Sequence, residues 1–284
     1  MIQLNHVTFS YMGSDPAART ALSDVTFSVA PGEIIGVIGH TGSGKSTLMQ
    51  LICGLLSPTK GEVVVCGENL TESKAPASLI RGKVGLVFQY PEHQLFEETV
   101  YRDIAFAGKN LGLTDPEIDA RVKEAMKLTG LSEELSTRSP FELSGGQKRR
   151  VAIAGVLAMH PEILILDEPA AGLDPAGQKE IFDSIRKFQK KYGTTVLFVS
   201  HSMEDVIRIA DRVIALNHGT LVIDGKAREV FTHAEKLRAC GLDLPEICRL
   251  VSALIDGGVP IERNILTLDE AISELVHVFA EEPI

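Results

Sequence analysis

The stretch Gly39-His40-Thr41-Gly42-Ser43-Gly44-Lys45-Ser46-Thr47 sets an ammonium and two hydroxyls behind a run of glycines, in the spacing G-x-x-x-x-G-K-[ST]. Such a loop cradles a polyphosphate: the glycines let the backbone curl until its N–H groups point inward, and a helix starting near Lys45 turns its positive end to the same anion. Lys45 is then placed to reach the β- and γ-phosphates, and Ser46 Oγ to ligate a magnesium ion. A second element is acidic. Ile163-Leu164-Ile165-Leu166 runs straight into Asp167-Glu168, so a buried strand delivers two carboxylates at its C-terminal end, the edge where open α/β sheets gather ligands. Asp167 can hold the magnesium ion through water. Glu168 stands one residue nearer the terminal phosphate and can take a proton from an attacking water. Acids after a strand, taken alone, more often cap a helix; beside a phosphate loop they read as a hydrolysis site.

Leu143-Ser144-Gly145-Gly146-Gln147 precedes the helical run KRRVAIAGVLAM and forms a second anion-binding helix start. One polyphosphate needs only one cradle from its own chain. The spare one points to a nucleotide held by another copy or by a relative.

These groups require elements to hold them. Ile2, Leu4, Val7, Phe9 and Tyr11 mark a period-two opening that Val25 to Val29 repeats, the pattern of half-buried antiparallel strands. Near-continuous apolar runs at Ile34 to Ile38, Val84 to Phe88, Ile163 to Leu166 and Val196 to Val199 alternate with helical stretches, which is the signature of a parallel sheet with crossover helices. Between Tyr90 and His160 no such run occurs, so a helical insert is expected there. From Gly225 the composition changes to amphipathic helical segments. The last of these opens with Thr267 and Glu270 at capping-box spacing and is expected to bury Leu268, Ala271, Ile272, Leu275 and Phe279 on one face.

Composition narrows the function further. The 284 residues carry a formal charge of −10, which removes the broad positive field needed for non-specific nucleic-acid binding and leaves no nucleic acid among the expected partners. Cys53, Cys66, Cys240 and Cys248 show neither zinc nor disulfide spacing and are expected to be apolar thiols in a reducing compartment. His6, His93, His160, His218, His233 and His277 show no metal-ligand spacing. The N-terminus lacks the pattern of a secretory signal, and no apolar run reaches spanning length, so no membrane span is expected.

The phosphate loop, LSGGQ, ILILDE and His201 after VLFVS, in that order, resemble the nucleotide-binding subunit of an ATP-binding cassette (ABC) transporter from residue 1 to about residue 224. The resemblance implies an α/β phosphate-loop NTPase core with N-terminal antiparallel strands (1–224, helical insert about 90–160) and a small C-terminal helical domain (225–284) serving dimerisation. It also implies ATP and Mg²⁺. Tyr11 matches an adenine-stacking aromatic, although in a strand it could equally be a packing residue. Gln89 matches the glutamine that touches Mg²⁺ and the membrane partner, Asp174 the aspartate of the loop linking two nucleotide sites, and His201 the histidine that contacts the γ-phosphate.

YPEHQLFEETVYRDIAF and VFTHAEKLRACGLDLPEICRL further resemble the A-component ATPases of energy-coupling factor (ECF) transporters, with GHTGSGKSTL and FELSGGQ-x-RRVAIAGVLAM nearest the second of two paired ATPases. This implies an ATP-hydrolysing importer subunit for vitamins or transition-metal ions at the cytoplasmic face of the membrane. The implied partners are a second homologous ATPase in a heterodimer or homodimer, a transmembrane scaffold subunit and a substrate-capturing membrane subunit. Glu92 is expected to offer its charge to an arginine of a scaffold helix, the rival reading being an acid merely solvated in the first turn of a helix. Ala170 and Lys148 depart from the Thr and Met frequent at those places, and neither removes a catalytic group. A soluble ABC ATPase acting on DNA or ribosomes and a non-hydrolysing ATP sensor are the competing classes. The acidic charge speaks against the first, and Glu168 and His201 against the second.

Overall fold

The structure is a computed structural model and describes residues 1–11, 19–72, 76–232, 237–238, 241–242, 244–262 and 264–281. Cys240 and His233 lie outside the described residues.

Alternation of buried and exposed residues shapes the first layer. The strand β1 (Ile2–Tyr11) pairs antiparallel with β2 (Arg19–Val29), burying Ile2, Leu4, Val7 and Phe9 against Leu22, Val25 and Phe27. The strand β3 (Ile34–Ile38) follows, and the chain then enters the helix α1 (Lys45–Ile52) through the phosphate loop. The strands β4 (Lys60–Val65) and β5 (Glu68–Asn69) complete a four-stranded antiparallel sheet in the order β2-β1-β4-β5.

The larger sheet is built from β3 together with β6 (Val84–Val87), β7 (Ile163–Asp167), β8 (Thr195–Val199), β9 (Arg212–Asn217) and β10 (Thr220–Lys226). Its order is β10-β9-β3-β8-β7-β6, parallel except for the terminal β10. Each central strand is apolar on both faces for a visible reason. Ile34, Ile38, Leu164, Leu166, Val196 and Phe198 point into one core cluster with Phe182 and Phe188, while Ile35, Val37, Ile163, Ile165, Leu197 and Val199 point into another with Leu48 and Leu51. A sheet buried on both sides cannot alternate in polarity. Because its strands are parallel, all the loops that leave their C-terminal ends emerge along one edge.

Between Gln89 and His160 the long elements are helices: α3 (Val100–Asn110), α4 (Asp115–Leu128) and α5 (Gly145–Leu157), after the short α2 (Pro76–Leu79) and a 3₁₀ turn at Pro91–Gln94. They enclose their own core around Ile104, Val122, Met126 and Val151. The helices α6 (Pro175–Tyr192), α7 (Met203–Ile209) and α8 (Ala227–Thr232) cover the core. Gly225, where the composition changes, still pairs with Val213 inside β10, and the helical tail begins at Ala227.

In the last helix, Leu268–Glu281, Thr267 and Glu270 exchange the capping bonds that their spacing predicts. The expected apolar face is split, however. Ala271, Leu275 and Val278 pack inward against Val251 and Ile261, whereas Leu268, Ile272, Val276 and Phe279 are 51–64% exposed and form a second, outer stripe. Cys53 and Cys248 are buried and Cys66 is half-buried; all three are free thiols. Burial pushes Cys53 up to about 12. No helix among the described residues is long and apolar enough to cross a membrane.

Phe182 is fully buried and packs edge-on against Phe198 with ring centroids 5.7 Å apart. Phe182→Ala is expected to cost ~3–5 kcal/mol of stability, read in urea denaturation as a lowered midpoint at unchanged slope.

Candidate functional site

The loop between β3 and α1 depends on backbone conformations that a side chain would spoil. Gly44 has φ +106°, and a Cβ there would stand 2.6 Å from the Ala21 carbonyl oxygen and 2.7 Å from Leu22 Cδ2. The loop closes over Lys45, which is 6% exposed and donates from Nζ to the carbonyls of Gly39 (2.7 Å) and His40 (3.1 Å). Burial pulls the Lys45 ammonium below the ordinary lysine value, against the raising charges of Glu168 and Asp167. Those two carboxylates therefore lie close to the lysine.

At the next residue, Ser46 Oγ donates to Asp167 Oδ2 at 3.1 Å, across a gap of 121 positions in sequence. Among the described residues no three His, Cys, Asp or Glu side chains gather as a metal cage. Two converging hard oxygens without a cage are a donor set that would suit a magnesium ion.

Glu168 leaves β7 with φ +51°, a left-handed conformation uncommon for a residue with a side chain. Its N–H donates to the Val199 carbonyl of β8 at 3.1 Å, and Oε1 lies 2.8 Å from His201 Nε2. The neighbouring strand thus holds both backbone and carboxylate of this residue. On the other side, β6 pairs Val87 with Leu166, so exposed Gln89 reaches the level of Glu168 along the sheet. Tyr11 OH bonds Thr47 Oγ1 at 3.1 Å, while its ring meets Phe9 edge-on at 4.9 Å and stays 44% exposed. It packs on one side and offers a free surface on the other.

A cleft of about 400 Å³ opens here, bounded by Tyr11, Arg19 and Thr20 on one wall and by Gly42 and Gly44 to Thr47 on the other. His218 completes the rim; its ring lies 4.6 Å from that of His40, which bonds Asn217 Oδ1 at 3.1 Å. Arg19, Thr20 and His218 are cleft residues that no sequence pattern marks. They come from a strand start and a β9–β10 turn, and only the pairing of sheets brings them to the loop.

Ser144 is exposed and caps α5 through a reciprocal pair with Gln147: Gln147 N–H donates to Ser144 Oγ at 3.4 Å and Ser144 N–H to Gln147 Oε1 at 3.1 Å. Asp174 caps α6, accepting from Gly177 N–H at 2.8 Å. Gly146 borders this loop, 3.7 Å from Leu173 Cδ2 to where a Cβ would stand.

Glu92 is neither merely solvated nor without a partner in its own chain. Its carboxylate is 16% exposed and engaged by Arg149 in two bonds, Nη2 to Oε1 at 2.7 Å and Nε to Oε2 at 3.0 Å. Burial raises the Glu92 carboxyl, but the hydrogen bonds and charge of Arg149 outweigh it and hold the group below the ordinary value. Glu92 thus has a cationic partner within its own chain.

A parallel sheet with a phosphate loop and strand-end carboxylates on one edge defines a phosphate-loop nucleotide hydrolase. The sequence model of the family described as ABC transporter matches residues 22–171. The energy-coupling factor transporter ATP-binding protein EcfA2 of Caldanaerobacter subterraneus subsp. tengcongensis is 53% identical over 270 residues, covering 95% of this chain and 94% of that protein. Its Clostridium perfringens counterpart is 51% identical, covering 97% of this chain and 96% of that protein. Among solved structures, cbiO1 from Clostridium perfringens, described as part of the ABC transporter complex cbiONQ, aligns with TM-score 0.76 at 37% identity over 88% of this chain and 98% of its own. The ATP-binding cassette MJ0796, dimeric and bound to ADP and Pi in a post-hydrolysis state, aligns with TM-score 0.72 at 31% identity over 80% of this chain and 99% of its own. The chain belongs to the ABC transporter family, among the ATP-binding proteins of energy-coupling factor transporters.

Gly44→Ala adds a methyl where the backbone of Ala21 and the side chain of Leu22 leave no room, at a φ that L residues rarely adopt. Nucleotide affinity is expected to fall at least tenfold in equilibrium binding, with the far-ultraviolet circular dichroism unchanged.

Proposed function

We propose that this chain is the ATP-hydrolysing subunit of an energy-coupling factor importer, and that it works as one half of an ATPase pair. The observation that carries the reading is the convergence, at one sheet edge, of buried Lys45, the Ser46–Asp167 pair and the Glu168–His201 pair.

In this reading the N–H groups of Gly39 to Thr47 and the Lys45 ammonium bind the β- and γ-phosphates, and Tyr11 stacks on the adenine. Ser46, Asp167 and Gln89 would hold Mg²⁺, which would supply positive charge to offset that of the phosphates. Glu168 accepts the proton of the attacking water. His201, bonded to Glu168 at 2.8 Å, orients that carboxylate and can turn its Nε2 toward the γ-phosphate. The left-handed backbone at Glu168 is held by the β8 bond, so the base is aimed before the nucleotide arrives.

The Ser144–Gln147 cap is complete within its own helix and exposed to solvent, which suits a second cradle offered to a neighbour's nucleotide. Asp174, next to it, would link the two sites. The partner is a second homologous ATPase, in a heterodimer or a homodimer; the dimeric cassette MJ0796 supports such a pair. The outer stripe Leu268, Ile272, Val276 and Phe279 supports a dimer contact through residues 225–284, beside a nucleotide-binding domain of residues 1–224. Phe88, Tyr90, Phe96 and Phe106, exposed around the Gln89 segment, offer an apolar surface to a transmembrane scaffold subunit. With a substrate-capturing membrane subunit, these parts make an importer of vitamins or transition-metal ions, with this chain peripheral at the cytoplasmic face. The cbiONQ complex described for cbiO1 and the EcfA2 relatives support that arrangement.

In the purified complex, Lys45→Ala is expected to abolish ATP turnover and weaken binding. Glu168→Gln is expected to lower turnover by ~100-fold or more, the contribution typical of a general base, while ATP binding persists and a closed dimer accumulates on size-exclusion chromatography. Normal turnover by Glu168→Gln would return that residue to a structural cap.

Ser144→Arg separates the two cradles. It is expected to spare nucleotide binding at this chain's own loop and to silence the site whose lysine belongs to the partner ATPase, as read by single-turnover hydrolysis in mixed complexes. Loss confined to the Lys45 site would contradict the shared arrangement.

A further inference from the structure

Arg149 lies five residues beyond the α5 cap and is 3% exposed, among the few buried charged residues described in this chain. Burying a guanidinium is costly unless its donors are met, and its partners come from two separate segments. The carboxylate of Glu92, in the 3₁₀ turn three residues after Gln89, takes Nε and Nη2 at 3.0 and 2.7 Å. The carbonyl of Ala171, between Glu168 and Asp174, accepts from Nη1. The Tyr90 ring, directly after Gln89 and held at φ +55°, lies 6.0 Å from the guanidinium carbon. Gly146, on the same helix, borders Leu173 of the same loop.

One side chain therefore ties the α5 helix to the segments that follow two strand ends of the site. This arrangement exceeds what packing requires, because an apolar residue of similar volume would fill the space without fixing directions. A planar five-donor fork fixes three at once. We propose that Arg149 is a positioning residue for ATP hydrolysis, coupling the Gln89 segment and the Ala171–Asp174 loop to the helix capped by Ser144. The groups that serve this chain's own nucleotide and those offered to the neighbour's then shift as one unit. The proposal rests on the ATPase reading above. It also gives Glu92 a function: the carboxylate anchors this fork.

The test uses the purified native complex with Arg149→Lys, Arg149→Met and Glu92→Gln, with Lys45→Ala as the control for the underlying reading. Arg149→Lys keeps the charge and loses the fork. It is expected to lower kcat about tenfold with KM for ATP and nucleotide-binding stoichiometry within twofold. Arg149→Met should lower kcat about a hundredfold, the scale of a small misplacement of reacting groups, and Glu92→Gln should fall between. The melting temperature and the amount of assembled complex separate misfolding from misplacement. If kcat per assembled complex is unchanged in Arg149→Lys and Glu92→Gln, Arg149 is a structural clamp only and the proposal is overturned. A loss of binding stoichiometry parallel to the loss of rate would overturn it as well. Turnover that survives Lys45→Ala would overturn the ATPase reading itself, an outcome recognisable without any Arg149 variant.

Discussion

The ammonium of Lys45 is buried under a glycine loop, bonded to two backbone carbonyls, with Asp167 and Glu168 near enough to oppose the effect of burial on its basicity. A buried cation needs fixed acceptors, and the rest of the site follows from supplying them. The carbonyls come from the loop that Gly44 allows to curl, and the carboxylates come from the C-terminal end of β7, which β8 separates from β3 in the same parallel sheet. Strand order matters because β3, β8 and β7 are neighbours. Loop, His201 and the acid pair consequently share one edge although more than 120 residues separate Ser46 from Asp167.

Rigidity is distributed unevenly around that edge. The sheet is locked by apolar packing on both faces, and Glu168 is pinned through backbone and side chain to β8 and to His201. Gln89 and the Ser144 cap are exposed instead, joined to the sheet through the helical segment and Arg149. Under the proposed function the two conditions have different uses: a base held still, and outer groups that shift together when a neighbour docks.

Two surface features bear on the proposed pairing. The Ser144 cap is satisfied internally, and under the proposed pairing its helix N-terminus would face the neighbour's phosphates. The outer stripe of Leu268–Glu281 leaves four large apolar side chains exposed, more than a helix needs to pack on its own core.

Local sequence determined most of the fold and much of the site. Apolar runs without alternation forced β3, β7 and β8 into the middle of a sheet covered on both sides, and the glycine spacing before Lys45 specified a loop that other residues could not form. Asp167 and Glu168 were legible because a buried strand must end in them. Tertiary structure decided what depends on pairing distant segments. Arg19 and His218 reach the cleft only through the stacking of two sheets and a turn beside the loop, and nothing in their immediate sequence reports that. Leu268 and Ile272 share a helical period with Leu275, but which side of a helix is covered depends on what packs there. Glu92 reads locally as a solvated acid or as a charge offered to a partner, and only the fold brings Arg149, 57 residues away, to bond it. Periodicity encodes which residues must leave water, whereas charge partners are chosen in space.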